Sequence, residues 1–164
     1  MEKTMLGIEL IKSIADVYKT GNKVLICGNG GLASLSEHFA AELMGKFAFE
    51  RYIPCIALTQ NTSLITAVSN DLGFENVFSH QISVLGNSGD VLIAMTTSRS
   101  VNVLKAVEIG RRDGLITAVI CGNESGEFDA DYIYKMHSNE VAAIQNEILS
   151  FLHYIAYNVK RRLR

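Results

Sequence analysis

The chain has 164 residues, which is the size of one domain, and its 15 Lys and Arg residues against 17 Asp and Glu residues give a net charge of −2. This balance argues against a protein that binds nucleic acid through a broad basic surface, because such a surface requires clustered cationic side chains. Hydrophobic residues make up 48% of the chain and charged residues 20%, which is typical of a globular domain and excludes a disordered one.

Local composition narrows the class further. The basic run 160–162 lies close to the end of the chain, where we interpret it as a solvated tail. No segment approaches the ~18 consecutive apolar residues of a membrane helix, and the first residues lack the pattern of a signal peptide. The chain has three cysteines without a C-x-x-C pair, which predicts buried reduced thiols in a cytoplasmic protein: Cys27, Cys55 and Cys121.

The first half of the chain alternates helical and strand patterns. Apolar periodicity predicts a first helix over 4–19, followed by a short apolar strand over 23–27 between glycines. Further helices are predicted over 33–46, 64–69 and 74–85, with a strand over 54–58. The Asn-Asp-Leu-Gly sequence at 70–73 is predicted to be a helix-breaking turn.

The second half repeats the alternation. Strands are predicted over 91–95, 115–121 and 132–135, with helices over 101–112 and 141–162. Strands that are apolar throughout and separated by helices are typical of a parallel sheet covered on both faces. The sequence therefore predicts a single α/β domain over 1–164, a three-layer sandwich with a mostly parallel five-stranded sheet.

Two loops have the composition of a ligand site, which in open α/β sheets lies beyond the carboxyl ends of the strands. After the first strand come Asn29, Gly30 and Gly31, whose backbone N–H groups can approach a ligand closely at the start of a helix. The G-x-G spacing alone suggests a dinucleotide. However, Ala33 stands where the third glycine of that motif belongs, and no acidic residue follows the second strand.

The other loop follows the strand 91–95 and contains four hydroxyls and a guanidinium: Thr96, Thr97, Ser98, Arg99 and Ser100. These donors precede a helix and suit an anionic oxygen, so anion binding is favoured over an ordinary helix cap. A third polar loop, 59–63, fits ligand binding and helix capping equally well.

Titratable side chains recur at helical spacing. His38 and Glu42 are four residues apart, so they share a helix face and could ligate a metal, act as acid and base, or form a surface pair. The last helix contains Gln145 and His153 among apolar residues, where a lone histidine is more often a core or interface residue. These two lie about 12 Å apart along the helix, so they could serve one metal only by leaning together or across subunits.

Several motifs occur in an order that resembles a known family. They are Cys27–Gly31, the His38-Phe-Ala-Ala-Glu42-Leu43 sequence, Thr66-Ala67 with Asn70–Phe74, the loop 96–100 running into Asn102-Val103, and Ile144–Glu147 with His153. Together, over residues 20–155, they resemble the phosphoheptose isomerases of the sugar isomerase (SIS) domain family. The fold predicted from periodicity agrees with that resemblance.

The resemblance implies an enzyme that converts sedoheptulose 7-phosphate to D-glycero-D-manno-heptose 7-phosphate, the entry to heptose for lipopolysaccharide or capsule. It implies that Glu42 is the base and His153 the acid of an ene-diol route, and that one Zn²⁺ is held by His38, Glu42, Gln145 and His153. It implies that the substrate is held by Asn29, Gly30, Gly31, Asn70, Asp71, Thr96, Thr97, Ser98, Ser100 and Gln145, with Arg99 as an added donor particular to this chain.

The resemblance also implies a homotetramer with shared active sites, in which helices 4–19 and 141–162 form the interface. Only one helix precedes the first strand here, where the family has another, so a dimer is the alternative. Leu32 stands where the family has a serine, and the loop 98–100 is one residue short. The competing hypothesis is therefore a non-catalytic sugar-phosphate-binding or protein-interaction module that resembles the replication-initiator-associating proteins.

Overall fold

The computed structural model describes residues 7–164, so the predicted start of the first helix at 4–6 lies outside the described residues. Within these residues there are six α-helices and five strands, which alternate except where two helices or two strands follow one another. In chain order the elements are α1 (Ile8–Thr20), β1 (Val24–Gly28), α2 (Gly31–Met44), β2 (Cys55–Ala57), α3 (Thr62–Leu72), α4 (Val77–Leu85), β3 (Val91–Thr96), α5 (Val101–Arg112), β4 (Ile116–Cys121), β5 (Tyr132–Lys135) and α6 (Val141–Arg162).

The strands form one sheet in the order β2-β1-β3-β4-β5, and every neighbouring pair is parallel. Successive strand residues face opposite sides, which gives two cores. One core packs α1, α2 and α6 against the sheet, and the other packs α3, α4 and α5 against its opposite face. The predicted three-layer α/β sandwich with a five-stranded parallel sheet is confirmed.

The region around Asn70 differs from the predicted turn. Helix α3 continues through Asn70 and Asp71 to Leu72, and only Gly73, with φ of 91°, leaves the helical conformation. A 3-10 turn over Phe74–Asn76 then leads into α4. The polar residues at 70 and 71 are tolerated in the last helical turn, and the glycine alone supplies the positive φ that ends the helix.

The predicted solvated tail is wrong for Lys160. Helix α6 continues through the basic run, and its helical repeat places Lys160 on the same stripe as Leu152 and Ala156, which are fully buried. The Lys160 side chain is 0% exposed, and its ammonium donates a hydrogen bond to the carbonyl oxygen of Gly45. Only the arginines of this run remain exposed, Arg161 and Arg162.

Strands β1 and β3 mark the point where the strand order reverses, because β1 continues to β2 on one side and β3 to β4 on the other. Open α/β sheets bind ligands in the crevice at the carboxyl ends of two such strands. Residues 29–31 and 97–100 follow these two ends directly. Within residues 7–164, no helix has both the length and the hydropathy required to cross a bilayer.

Candidate active site

Helices α2 and α6 bring three titratable side chains together. His38 and Glu42 lie one turn apart on α2, and His153 approaches from α6, which packs beside it in the same core. One carboxylate oxygen, Oε1 of Glu42, lies 3.1 Å from Nε2 of His38 and 2.6 Å from Nδ1 of His153. The i, i+4 pair predicted from the sequence is therefore not an isolated surface pair but two members of a three-residue cluster.

Burial differs sharply within this cluster. Glu42 is only 7% exposed, whereas the side chains of His38 and His153 are 49% and 41% exposed. The His38 and His153 rings meet edge to face with centroids 5.2 Å apart, and the ring of Phe47 stacks on His153. The carboxylate therefore forms the floor of a site that opens to solvent between two imidazoles.

Two polar atoms at this floor have no hydrogen-bond partner among the described residues: Oε2 of Glu42 and Nδ1 of His153. Nδ1 of His153 lies close to Oε1 of Glu42, but the angle between the two groups does not suit a hydrogen bond. Ligand atoms of the three residues all lie within 4.8 Å of one another. Two imidazoles and a carboxylate with an open side are the usual donors of a catalytic zinc, so the donor set fits a divalent metal.

Lys160 is the neighbour of this site that the sequence analysis missed. Burial lowers the pKa of its ammonium, and the negative charge of Glu42 acts in the opposite direction. Its Nζ also lies 5.9 Å from the centre of the Tyr52 ring. Lys160 stands one helical turn after Ala156 and two turns after Leu152, which are both fully buried. Extending this apolar stripe of α6 into the basic run would have predicted that Lys160 is buried.

The loop after β1 lies directly beside the loop after β3, because Gly28 pairs with Met95 in the parallel register. Gly30, with φ of 56°, forms the N-cap of α2, a conformation that favours glycine. A Cβ at Gly31 would stand 2.5 Å from Oε1 of Gln145, so the Gln145 amide rests on this backbone. The predicted residues Asn29, Gly30, Gly31 and Gln145 are thus neighbours at the start of α2.

The loop after β3 is held by its own hydroxyls. Thr96 is buried and its Oγ1 accepts a hydrogen bond from the backbone N–H of Ser98 and donates one to Ser100, which is the N-cap of α5. The Arg99 guanidinium lies 5.8 Å from the centre of the Phe128 ring. The predicted extra anion donor therefore packs on the loop between β4 and β5 in this structure.

The loop between β4 and β5 also borders this site. The sequence did not predict that this loop contributes to it. Ser125 is buried and donates a hydrogen bond to the carbonyl oxygen of Thr97. A cavity of about 210 Å³ lies between these loops and is lined by Thr97, Ser98, Gly122, Asn123, Glu124, Ser125, Asn139 and Ile144. A third loop therefore shapes the space beside the predicted anion site.

Two predicted residues are not joined to the others. Asn70 and Asp71 are exposed at the end of α3, where the Asn70 amide donates a hydrogen bond to the Asp71 carboxylate at 2.7 Å. Within residues 7–164, no hydrogen bond or ion pair links them to the remaining site residues. In the third polar loop, Asn61 Oδ1 accepts a hydrogen bond from the backbone N–H of Leu64, so this segment caps α3.

This chain is similar to known proteins of one family. A family model described as the SIS domain matches residues 4–122. A phosphoheptose isomerase of Synechocystis sp. is 42% identical over 158 residues, covering 94% of this chain and 81% of that protein. One of Campylobacter concisus is 43% identical over 155 residues, covering 92% and 82%.

Solved structures show the same similarity. A phosphoheptose isomerase from Francisella tularensis superposes with a TM-score of 0.88 at 31% identity, covering 93% of this chain and 84% of that one. One from Neisseria gonorrhoeae superposes with a TM-score of 0.86 at 31% identity and the same coverage. The chain therefore belongs to the SIS domain family, among the phosphoheptose isomerases, and is a sugar-phosphate isomerase.

Proposed function

We propose that this protein interconverts sedoheptulose 7-phosphate and D-glycero-D-manno-heptose 7-phosphate. The observation that carries the proposal is the convergence of His38 and His153 on the buried carboxylate of Glu42, from two different helices. The reaction moves a carbonyl from C2 to C1, so it needs one group that takes a proton from carbon and another that manages the protons of the two oxygens. A carboxylate beside an imidazole supplies both.

In this proposal Glu42 is the base. Its Oε1 lies between the histidines, while its Oε2 has no hydrogen-bond partner among the described residues and is the oxygen available to take the proton from C1. Loss of that proton forms the ene-diol, and return of a proton to C2 completes the aldose. His153, partly exposed beside Glu42, gives a proton to O2 as the C2 carbonyl is lost and takes one from O1 as the aldehyde forms.

We propose that His38, Glu42 and His153 hold a Zn²⁺ ion, because two imidazoles, a carboxylate and an open side fit that ion. Zinc bound there would polarise the substrate oxygens and stabilise negative charge that develops on the ene-diolate. Gln145 is proposed as a further ligand or substrate contact. Its amide rests on Gly31, between the metal cluster and the loop after β1.

The substrate phosphate is proposed to bind at the reversal of strand order, against the loops 29–31 and 96–100. Backbone N–H groups at the starts of α2 and α5, together with the hydroxyls of Thr97 and Ser98, are suitable donors. Such a site suits a chain of near-neutral charge, because it holds an anion without a broad positive surface. Asn70 and Asp71 are proposed as contacts of the sugar hydroxyls.

The test is turnover by the purified protein with sedoheptulose 7-phosphate and Zn²⁺, followed by NMR. We expect an aldose heptose phosphate, and a kcat reduced about 10²–10⁴-fold in Glu42→Gln, which cannot accept the carbon proton. Glu37→Gln is the matched control, because Glu37 lies on the same helix but is exposed and accepts a hydrogen bond from Thr59. Binding without turnover in the wild-type protein would contradict the proposal and favour a non-catalytic sugar-phosphate-binding module.

We further propose a homo-oligomer that uses α1 and α6. Its support is an apolar groove of 440 Å³ beside α6, lined by residues that include Tyr134, Met136, Phe151 and Tyr154. Tyr18 on α1 and Tyr157 on α6 are also exposed. Light scattering is expected to give a mass of two or four chains; a mass of one chain would overturn this proposal.

The three free buried cysteines support a cytoplasmic location.

A further inference from the structure

Asn29 and Asn102 form a reciprocal amide pair across the reversal of strand order. The Asn29 amide nitrogen donates to the Asn102 carbonyl oxygen at 2.8 Å, and the Asn102 nitrogen donates to the Asn29 oxygen at 2.8 Å. Asn102 is only 3% exposed, although it stands in the first turn of α5, close to the predicted phosphate donors. Two bonds fix the plane of each amide, so neither side chain can rotate without losing both.

The pair joins the two loops that are proposed to hold phosphate. Asn29 belongs to the loop after β1, and Asn102 follows the loop after β3, 73 residues later in the chain. Across residues 7–164, no other side-chain hydrogen bond joins residues 28–31 to residues 96–102. The internal hydrogen bonds of each loop fix its own shape but not its distance from the other loop.

Contacts continue from this pair to the catalytic cluster. Asn29 is followed by Gly30, whose positive φ turns the chain into α2, and by Gly31, on which the Gln145 amide rests. Gln145 shares helix α6 with His153. A shift of Asn29 would therefore move the backbone donors at the start of α2 and release the support of Gln145.

We propose that Asn102 is a positioning residue that acts through Asn29 and locks the two anion-binding loops into one site; this inference rests on the proposed phosphate binding by those loops. Asn29 then serves the substrate through the backbone that follows it, and its side chain serves as the clamp. This differs from the direct substrate contact that the family resemblance implies for Asn29.

The test is a double-mutant cycle of Asn29→Ala, Asn102→Ala and the combined variant. Because each change removes the same two hydrogen bonds, we expect all three to raise KM about 10-fold, to agree within about 2-fold, and to change kcat much less. Asn87→Ala is the control, because Asn87 is exposed in the turn before β3, at the opposite end of that strand from the proposed anion site. Its KM should equal that of the wild-type protein.

A second measurement separates this inference from the proposed reaction. Titration with inorganic phosphate followed by ³¹P NMR reports the anion site without turnover, and the dissociation constant should rise about 10-fold in the same three variants. If phosphate binds the wild-type protein and binds the three variants more weakly, but no heptose phosphate is isomerised, the proposed function is contradicted and the positioning role is supported. If the wild-type protein binds no phosphate, the positioning role falls.

Other outcomes would also overturn the inference. Wild-type KM and phosphate affinity in Asn102→Ala, with only a lower Tm, would show a purely structural pair. A combined variant whose KM increase is the product of the two single increases would show that Asn29 contacts the substrate independently. Should Asn102→Ala fail to fold, Asn102→Ser replaces it in the cycle, and Asn29→Ala still reports loss of the pair from its half-buried side.

Discussion

The two carboxylate oxygens of Glu42 have different surroundings, and this difference divides the proposed chemistry. Oε1 faces two imidazoles, whereas Oε2 has no hydrogen-bond partner among residues 7–164. A buried carboxylate without a full set of hydrogen-bond donors is costly unless a cation or a reacting proton compensates it. The residue-scale geometry therefore supports both a bound divalent metal and a role as base.

Metal affinity tests this interpretation at single residues. We expect His38→Gln to weaken Zn²⁺ binding by more than about 100-fold, because removing even an outer partner of a metal ligand costs about 10–100-fold. Isothermal titration calorimetry of the metal-free protein measures the change. His80→Gln is the control, since His80 lies on α4 outside the cluster. Equal zinc affinity in His38→Gln and wild type would remove His38 from the metal site.

Helices α2 and α6 must keep a fixed separation for the cluster to exist, and Lys160 joins them near their ends. Its ammonium bonds the carbonyl oxygen of Gly45, which follows α2 directly. A cation at this position also complements the negative end of the α2 dipole. Because Lys160 is on α6 with His153, this one side chain connects the helix of the proposed acid to the helix of the proposed base.

The stability of Lys160 variants tests this link. We expect Lys160→Ala to lower the free energy of unfolding by about 2–4 kcal/mol, because it leaves a cavity and removes the donor to a buried carbonyl. Lys160→Met fills the volume and should cost less, since apolar replacement of a buried charge is often close to neutral. Urea unfolding measures both.

Lys46→Ala is the matched control for these variants. Lys46 is exposed and forms a surface ion pair with Glu50, four residues later, so its loss should cost less than about 1 kcal/mol. If Lys160→Ala cost no more than Lys46→Ala, Lys160 would be a solvated residue in solution, and the link between α2 and α6 would have to be abandoned.

At the scale of the whole molecule, the three cysteine thiols lie in the core of the sandwich. Burial raises the pKa of the Cys27 thiol to about 12 and also raises that of Cys55. Burial likewise raises the pKa of Cys121, against smaller opposing effects of Lys135 and Ser125. A thiol in the unfolded chain has a pKa near 8.5. At pH values just above 8.5, each cysteine is therefore neutral in the folded protein but ionised in the unfolded one.

Alkaline pH should therefore destabilise the fold. A folded pKa above the unfolded value gives stability that is complete below about pH 8.5 and is lost as pH rises towards the folded pKa. Each thiol should cost about 1.4 kcal/mol per pH unit above 8.5. Burial lowers the pKa of Lys160, so this residue changes stability with pH in the opposite direction. The test therefore compares the slope of Tm against pH between variants.

Thermal unfolding between pH 7 and 10 in reducing buffer tests the effect of the thiols. Cys27→Ala should show a shallower fall of Tm with pH than the wild-type protein, because one buried thiol no longer ionises on unfolding. Asp16→Ala, at an exposed pair with Lys19, should keep the wild-type slope. Parallel Tm curves for Cys27→Ala and wild type would show that Cys27 is not buried in the folded state in solution.

Local sequence patterns determined the alternating elements, the continuous apolar strands, the two glycine- and hydroxyl-rich loops, and the i, i+4 pair of His38 and Glu42, because each depends on neighbours within a few residues. The ends of the helices are less well determined by local sequence. Helix α3 continues through Asn70 and Asp71, because only Gly73 takes a positive φ. The predicted tail also failed at Lys160, whose burial follows from packing against α2 rather than from the charge of its neighbours.

Tertiary structure alone decided which distant residues meet. His153 lies 111 residues after Glu42, and Asn102 lies 73 residues after Asn29, yet both pairs are in contact. Their distances depend on how α6 packs against α2 and on the parallel register of β1 and β3, to which many side chains contribute together. Composition and spacing therefore determine which chemistry this chain can perform, and the packing of helices on the sheet decides where its groups converge.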